Sequence, residues 1–125
     1  MTDHKVRVFR PGEGTANTAQ TAGMQREELV STPSAWVGMV QTAPGFTSGW
    51  HHHGDRDTFG YVVRGRVGFD FGPGGHDHVD VEQGGFFCVP AGLVHREVNV
   101  EPSEVVLVFV GDGPVVVNLD APAPA

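Results

Sequence analysis

The sequence predicts an all-β protein built as an antiparallel sandwich or barrel. Short segments rich in Val and Phe recur along the chain, and Gly, Pro, Asn or Asp residues bound each of them. Long helical periodicity is absent, and the best candidate for a short helix, near Met24 to Leu29, is expected to form strand or loop instead. Many short strands at regular spacing favour a β-sandwich or a β-barrel.

The predicted strands, together with a loop and a C-terminal tail, make up one predicted domain. The predicted strands, in chain order, are KVRVF, WVGMVQT, FGYVVRG, RVGFDF, FFCVP, VHREVNV, EVVLVFV and PVVVNL. The polar residues 11–23 are predicted to form a loop, and the tail of about residues 120–125 is predicted to be mobile because APAPA can form neither sheet nor core. We expect residues 1–125 to form one domain, since this length suffices for a single core but not for two.

The acidic balance of the chain argues against some classes of partner. The net charge is -7, with 8 Lys and Arg residues against 15 Asp and Glu, which disfavours nucleic acid and anionic membranes. No apolar run approaches the roughly 20 residues that span a bilayer, and the N-terminus lacks a signal-peptide pattern. A single cysteine, Cys88, excludes an internal disulfide, and we expect a cytoplasmic location.

Three consecutive histidines in the segment GWHHHGDRDTFGYVVRG suggest a metal site. Side chains alternate between the two faces of a strand, so His51 and His53 share one face while His52 points the opposite way. The Cα atoms of residues two apart are about 6.6 Å from each other, and two imidazoles can converge on one ion from that spacing. A second string, GGFFCVPAGLVHREVN, brings a further candidate ligand in His95.

The two strings together resemble the two motifs of the cupin superfamily. The second motif, G-x5-P-x-G-x2-H-x3-N, is matched at every fixed position, by Gly84, Pro90, Gly92, His95 and Asn99. The first motif, G-x5-H-x-H-x3or4-E-x6-G, is matched except at its Glu, by Gly45, His51, His53 and Gly65. The motifs span residues 45–99, the expected core of the metal site. The resemblance implies an antiparallel β-barrel of the jelly-roll, or double-stranded β-helix, type.

The sequence departs from the cupin pattern at the Glu ligand. A gap of four residues after His53 places Thr58 at that position, and six residues then lead to Gly65 as the motif requires. A gap of three residues places Asp57 there, but seven residues then precede Gly65. Spacing therefore favours Thr58, a poor ligand for a divalent ion. Asp57 would face the other way, and it stays a possible fourth ligand only if a bulge re-aims it.

The resemblance implies that His51, His53 and His95 hold one divalent transition metal ion, with the remaining coordination positions open to water or substrate. This ligand set does not distinguish Fe, Mn, Ni, Cu and Zn. Three neutral imidazoles leave the ion's charge of +2 uncompensated. Such a site favours anionic chelating ligands, for example enolates and carboxylates.

The leading functional hypothesis is a metal-dependent small-molecule enzyme. Because some three-histidine cupins are oxygenases, the resemblance favours an oxidoreductase of the dioxygenase type that acts on a small anionic or enolisable substrate. The alternatives are an isomerase or lyase that uses the metal as a Lewis acid, a non-enzymatic module that binds a small ligand or a metal, and a barrel whose metal site has decayed. We also expect a homodimer, paired through the N-terminal strand region.

Several other residues are predicted to have structural roles. His76 and His78 lie in GPGGHDHVD, which we interpret as a Gly-rich turn between strands. Cys88 is expected to be a small buried side chain. Gly60 shares a face with Thr58, and its missing side chain is expected to widen the cavity of the site.

Overall fold

The computed structural model describes residues 4–43, 45–99 and 101–125 as an assembly of ten strands and one 3-10 turn. In chain order the elements are β1 (Met24–Thr32), β2 (Ala35–Thr42), β3 (Trp50–His52), β4 (Asp57–Arg64), β5 (Arg66–Phe71), the 3-10 turn (Pro73–Gly75), β6 (Asp77–Glu82), β7 (Phe86–Val89), β8 (His95–Val98), β9 (Ser103–Val110) and β10 (Val117–Leu119).

The strands form two antiparallel five-stranded sheets. One sheet has the order β1-β2-β9-β4-β7, and the other has the order β10-β3-β8-β5-β6. From β3 onwards the chain passes repeatedly from one sheet to the other, which is the connectivity of a jelly roll. The all-β, double-stranded β-helix prediction is confirmed. Among the described residues, no strand pairing joins the two sheets into a closed barrel.

Two predicted segments differ from the structure. Residues 5–9, the segment KVRVF, form no strand in the described chain, and Val6 is 90% exposed, so the strand prediction there is wrong. The Gly-rich turn predicted around His78 ends before that residue, because β6 starts at Asp77 and pairs with β5 over its whole length. Alternation of Val79 and Val81 was the signal for this strand. Val100, the last residue of VHREVNV, lies outside the described residues.

The C-terminal end of the described chain contacts the 3-10 turn. The tail follows β10 and meets the turn at Pro73–Gly75, where the Gly74 N–H donates a hydrogen bond to the Ala123 carbonyl at 2.8 Å. Its mobility stays a prediction. No helix among the described residues is long and apolar enough to cross a membrane.

The interior between the two sheets contains both apolar and polar side chains. Trp36 is fully buried, stacks on Phe109 with ring centroids 4.8 Å apart, and donates a hydrogen bond from Nε1 to Glu28 at 2.7 Å. Other core side chains are those of Val40, Val62, Val67, Phe69, Val105 and Leu107. The buried polar side chains include Arg26, His51, His53, Thr58, His95, Glu97 and Asn99.

Gly38 is required for the packing of Trp36. A Cβ atom at this position would lie 2.3 Å from the indole Cη2 of Trp36 and 2.3 Å from the backbone oxygen of Glu27. The backbone oxygen is held by the pairing of β1 with β2, so it cannot move aside cheaply. We predict that Gly38→Ala lowers the free energy of unfolding by about 1–3 kcal/mol, the usual cost of overpacking a core.

Urea denaturation of the Gly38→Ala variant measures this loss, with Gly49→Ala as the matched control. A Cβ atom on Gly49 would meet only the Thr21 Cγ2 atom, at an ordinary 3.7 Å. Equal unfolding midpoints for the two variants would contradict the packing described here.

Candidate metal centre

Three histidines from two paired strands converge in the interior. His51 on β3 pairs directly with His95 on β8, and His53 follows one residue after the end of β3. Each offers a ligand nitrogen, and these nitrogens all lie within 4.8 Å of one another. The ring centroids of His51 and His95 are 4.3 Å apart, and that of His53 lies 5.2 Å from each. The structure therefore brings together the three histidines that the motif resemblance singled out.

Each of the three rings is held by a backbone carbonyl. The Nδ1 atoms of His51, His53 and His95 lie 2.9 Å from Gly49 O, 2.7 Å from Val115 O and 2.9 Å from Leu93 O. A carbonyl oxygen only accepts hydrogen bonds, so Nδ1 of a neutral ring carries the proton and Nε2 keeps a free lone pair. The Nε2 atom of His51 is buried and has no hydrogen-bond partner. This donor set fits a divalent transition ion.

The electrostatics of the centre keep the imidazoles neutral. Burial lowers the pKa of His51 to about 2, that of His53 to about 3 and that of His95 to about 4. The charge of Arg26 lowers each pKa further, while the hydrogen bonds to the carbonyls act in the opposite direction. Neutral imidazole is the form that binds a metal, so the site is prepared for an ion at physiological pH.

The other histidines of the two strings lie away from the cluster. His52 accepts a hydrogen bond at Nδ1 from the Gly54 N–H at 3.0 Å. His78 lies between Asp70 and Asp80, with its ring nitrogens 2.6 Å and 3.1 Å from their carboxylates. The hydrogen bond to Asp70 raises the pKa of His78. Within the described parts of the chain, His51, His53 and His95 are the one group of three potential ligands close enough to share an ion.

Alternation along β4 places the side chains of Asp57 and Thr58 on opposite faces of the sheet. The Asp57 side chain is exposed and its carboxylate accepts a hydrogen bond from the Ala91 N–H at 3.0 Å. Thr58 is 1% exposed, and its hydroxyl is buried without a hydrogen-bond partner. The inward position of the motif's missing Glu is thus occupied by Thr58.

Sequence reasoning missed two buried charged residues near the histidines. Arg26 on β1 is 0% exposed, and burial lowers its pKa to about 10, although the charge of Glu97 opposes this shift. Its Nη1 donates to the Thr21 hydroxyl at 2.9 Å, while Nε and Nη2 are buried without a partner. Alternation from His95 would have placed Glu97 inward. The sequence around Arg26 holds no signal that sets it apart from the charged residues beside it.

Glu97 lies two residues after His95 on β8, on the same inward face. Burial raises the pKa of its carboxyl to about 7, and the positive charge of Arg26 opposes that shift. At neutral pH this carboxyl is therefore close to the midpoint of its titration.

Asn99, the last residue of the second motif, supports the strand ends. Its Nδ2 donates to the hydroxyls of Thr42 and Ser103, and these two hydroxyls lie 2.7 Å from each other. This agrees with a structural role for Asn99. Cys88, in contrast, is exposed, so the prediction that it is buried is wrong. The outward position of Cys88 follows from its neighbour Phe87, which faces the interior from the same strand.

Comparisons with known proteins place the chain in a family. A family model described as the cupin domain matches residues 38–111, which is more than half of the chain. The chain belongs to the cupin domain family, and the resemblance seen in its motifs is confirmed. No curated protein matches the sequence.

Solved structures show the same fold. KdgF from Halomonas sp. is 25% identical with a TM-score of 0.69, over 86% of this chain and 96% of that one. A conserved protein with a double-stranded β-helix domain from Klebsiella pneumoniae is 19% identical with a TM-score of 0.72, over 93% and 99% of the two chains. The polyketide cyclase RemF from Streptomyces resistomycificus is 16% identical with a TM-score of 0.73, over 92% and 86%. The last two show the fold alone.

The buried histidines predict an acid-sensitive metal-free protein. Their pKa values in the folded state lie below the unfolded value of 6.5, so below that pH the unfolded chain binds protons that the folded chain does not. Stability is therefore lost as pH falls, by about 1.4 kcal/mol per pH unit for each histidine. Glu97, with its raised pKa, acts in the opposite direction between about pH 7 and 4.5.

Acidification destabilises the folded protein through three histidines and stabilises it through one carboxyl. We therefore predict that the free energy of unfolding falls by about 2 kcal/mol between pH 6 and pH 5. Urea denaturation of chelator-treated protein at the two values measures it. The Glu97→Gln variant should show a steeper loss because the opposing carboxyl is gone. A stability that stays constant or rises on acidification would contradict the burial of neutral imidazoles.

Proposed function

We propose that the protein is a metal-dependent cupin enzyme in which His51, His53 and His95 hold one divalent transition metal ion. The observation that carries this proposal is the convergence of three imidazoles whose Nδ1 atoms are engaged by carbonyls, leaving the Nε2 lone pairs free. A bound ion of this kind supplies Lewis-acid polarisation of a chelated oxygen and a position for a second reactant. The metal can be Fe, Mn, Ni, Cu or Zn on this donor set.

Metal titration of purified, untagged protein tests the ligand set. We expect about one ion per chain, and at least about 100-fold weaker binding in His51→Ala, His53→Ala and His95→Ala, more than the loss of a supporting group costs. His52→Ala is the matched control and should bind as the wild type does, because its ring faces Gly54.

The same titration tests whether Asp57 is a ligand and whether Thr58 stands at the position of the motif's missing Glu. Asp57→Ala should keep its affinity, since this carboxylate is engaged by the Ala91 N–H. Thr58→Glu should bind the ion more tightly, because it adds an anionic ligand at the inward position. Loss of binding in His52→Ala but not in His51→Ala, or a loss of about 10-fold or more in Asp57→Ala, would overturn the proposed ligand set.

Charge in the interior supports an anionic substrate. Three neutral imidazoles leave the charge of a divalent ion uncompensated, and Arg26 adds a buried positive charge with two donors that have no partner. The carboxyl of Glu97 compensates part of this charge. A small enolate or carboxylate that chelates the ion is the ligand class favoured by such a centre.

The favoured reaction is that of a dioxygenase. An all-imidazole donor set leaves coordination positions free for both a chelating substrate and a second reactant. The role of the chain is to orient the substrate, to exclude water by burial of the centre, and to hold charge at the Arg26 guanidinium. A specific observation favours a second candidate, an isomerase or lyase: Glu97 presents a buried carboxyl on the same face as His95, suited to moving a proton.

Oxygen uptake over a panel of small carboxylic acids and β-dicarbonyls separates the two candidates. Reconstituted protein of the dioxygenase type should consume oxygen with at least one member, and His95→Ala should abolish that uptake. Turnover that continues without oxygen and falls in Glu97→Gln would establish the isomerase or lyase instead. Binding without any turnover would identify a non-enzymatic module and contradict both.

A homodimer and a cytoplasmic location complete the proposal. Residues 5–9 lie outside both sheets, and Val6 and Val8 are 90% and 64% exposed. The outer face of the β4–β7 sheet also exposes Phe59 and Phe86. A second copy of the chain that covers Val6 and Val8 would remove apolar surface from water, which supports pairing through the N-terminal region.

A further inference from the structure

An apolar cavity of about 310 Å³ adjoins the metal centre at His95. The cavity is formed by β5, β6 and β7 and by the turn that leads into β8. Besides His95 it is lined by Phe69, Phe71, Phe87, Val89 and Leu93, and the exposed residues Val79, Cys88 and Pro90 border it at the surface. One side of the metal centre is therefore lined mainly by apolar side chains.

The packing of the aromatic rings links this cavity to the centre. The Phe69 ring lies 6.1 Å from the His95 ring and 4.8 Å from the Phe87 ring, measured between centroids. A ligand on the ion that extends past His95 thus meets aromatic and branched aliphatic side chains. Hydroxyl or carboxylate groups placed there would lose their hydrogen bonds to water without replacement, which is costly.

The size of the cavity suits an organic body of more than one ring's volume. A cavity of about 150 Å³ lined by apolar side chains is sufficient for benzene, and this one measures about 310 Å³. We propose that the substrate is an amphiphilic acid, with an anionic chelating head at His51, His53 and His95 and an aromatic or branched aliphatic body in this cavity. The proposal rests on the proposed function, whose substrate class it narrows.

Phe87 is the residue that sets the width of the cavity. It pairs with Gly60 across the ladder of β4 and β7, and a Cβ atom on Gly60 would lie 2.1 Å from the Phe87 Cζ atom. The phenyl ring therefore fills the space above Gly60. The expectation that Gly60 widens the cavity is corrected: Gly60 makes room for the ring that bounds it, and Phe87 is a specificity-determining residue.

Three 2-oxo acids with the same head test the proposal on metal-loaded protein by calorimetry. Phenylpyruvate carries an apolar body, pyruvate carries almost none, and 2-oxoglutarate carries a charged one. Because burial of a phenyl group from water is favourable, phenylpyruvate should bind at least about 10-fold more tightly than pyruvate. The affinity for 2-oxoglutarate should be no higher than that for pyruvate.

Two adjacent phenylalanines provide the matched variants. Phe87→Ala removes a wall of the cavity and should reduce the ratio of phenylpyruvate affinity to pyruvate affinity several-fold. Phe86→Ala alters the outer face of the same strand, where Phe86 is 78% exposed, and should preserve that advantage.

The outcomes distinguish a failure of this substrate proposal from a failure of the proposed metal site. Equal affinity for phenylpyruvate and pyruvate, in wild-type protein that binds its ion, overturns the amphiphilic substrate and leaves the metal centre standing. Loss of the phenylpyruvate advantage in Phe86→Ala rather than in Phe87→Ala also overturns it, because the body would then lie on the outer face. A wild-type protein that binds no metal ion overturns both proposals.

Discussion

Three hydrogen bonds from imidazole Nδ1 atoms to backbone carbonyls determine what this interior can do. The carbonyls of Gly49, Leu93 and Val115 lie one or two residues before β3, β8 and β10, which are neighbouring strands of one sheet. Each one turns a ring so that Nε2 faces its counterparts, and burial keeps the rings neutral. Without these bonds the rings would be free to rotate, and any ion would have to order them at an entropic cost.

The polar groups buried in this interior lower the stability of the fold. The Nε and Nη2 atoms of Arg26 and the hydroxyl of Thr58 are buried without a protein partner, and a polar group left without any hydrogen bond in an interior costs about 1–3 kcal/mol. The apolar core around Trp36 and Phe109 offsets these costs, and it lies directly against the centre because the Phe109 ring stacks on His53 with centroids 4.5 Å apart. The packed aromatic core, the charged centre and the apolar cavity wall are therefore in direct contact with one another. A chelating acid with an apolar body matches both the charged centre and the apolar wall.

Local sequence patterns predicted the fold class and much of the geometry of the centre. Strand alternation separates His51 from His52 and Thr58 from Asp57, because side-chain direction in a strand depends only on neighbouring residues. What escaped prediction depends on distant contacts. Arg26 faces the histidines from a strand far from them in sequence, so no local pattern marks it. Residues 6–9 alternate as a strand would, yet the described chain has no strand there, which a local pattern does not reveal. The strand β6, in contrast, could have been predicted from the alternation of Val79 and Val81. The exposure of Cys88 could have been inferred from the register of Phe87.

X-ray absorption spectroscopy at the edge of the bound metal tests the central claim most directly, because multiple scattering from imidazole rings reveals how many of them bind the ion. Protein reconstituted with one equivalent of Zn²⁺ should show three imidazole nitrogens at about 2.0–2.1 Å, with a light-atom ligand from solvent in the remaining position. Fewer than three imidazoles, or the spectrum of a fully hydrated ion, would contradict the convergence of His51, His53 and His95 on a shared metal.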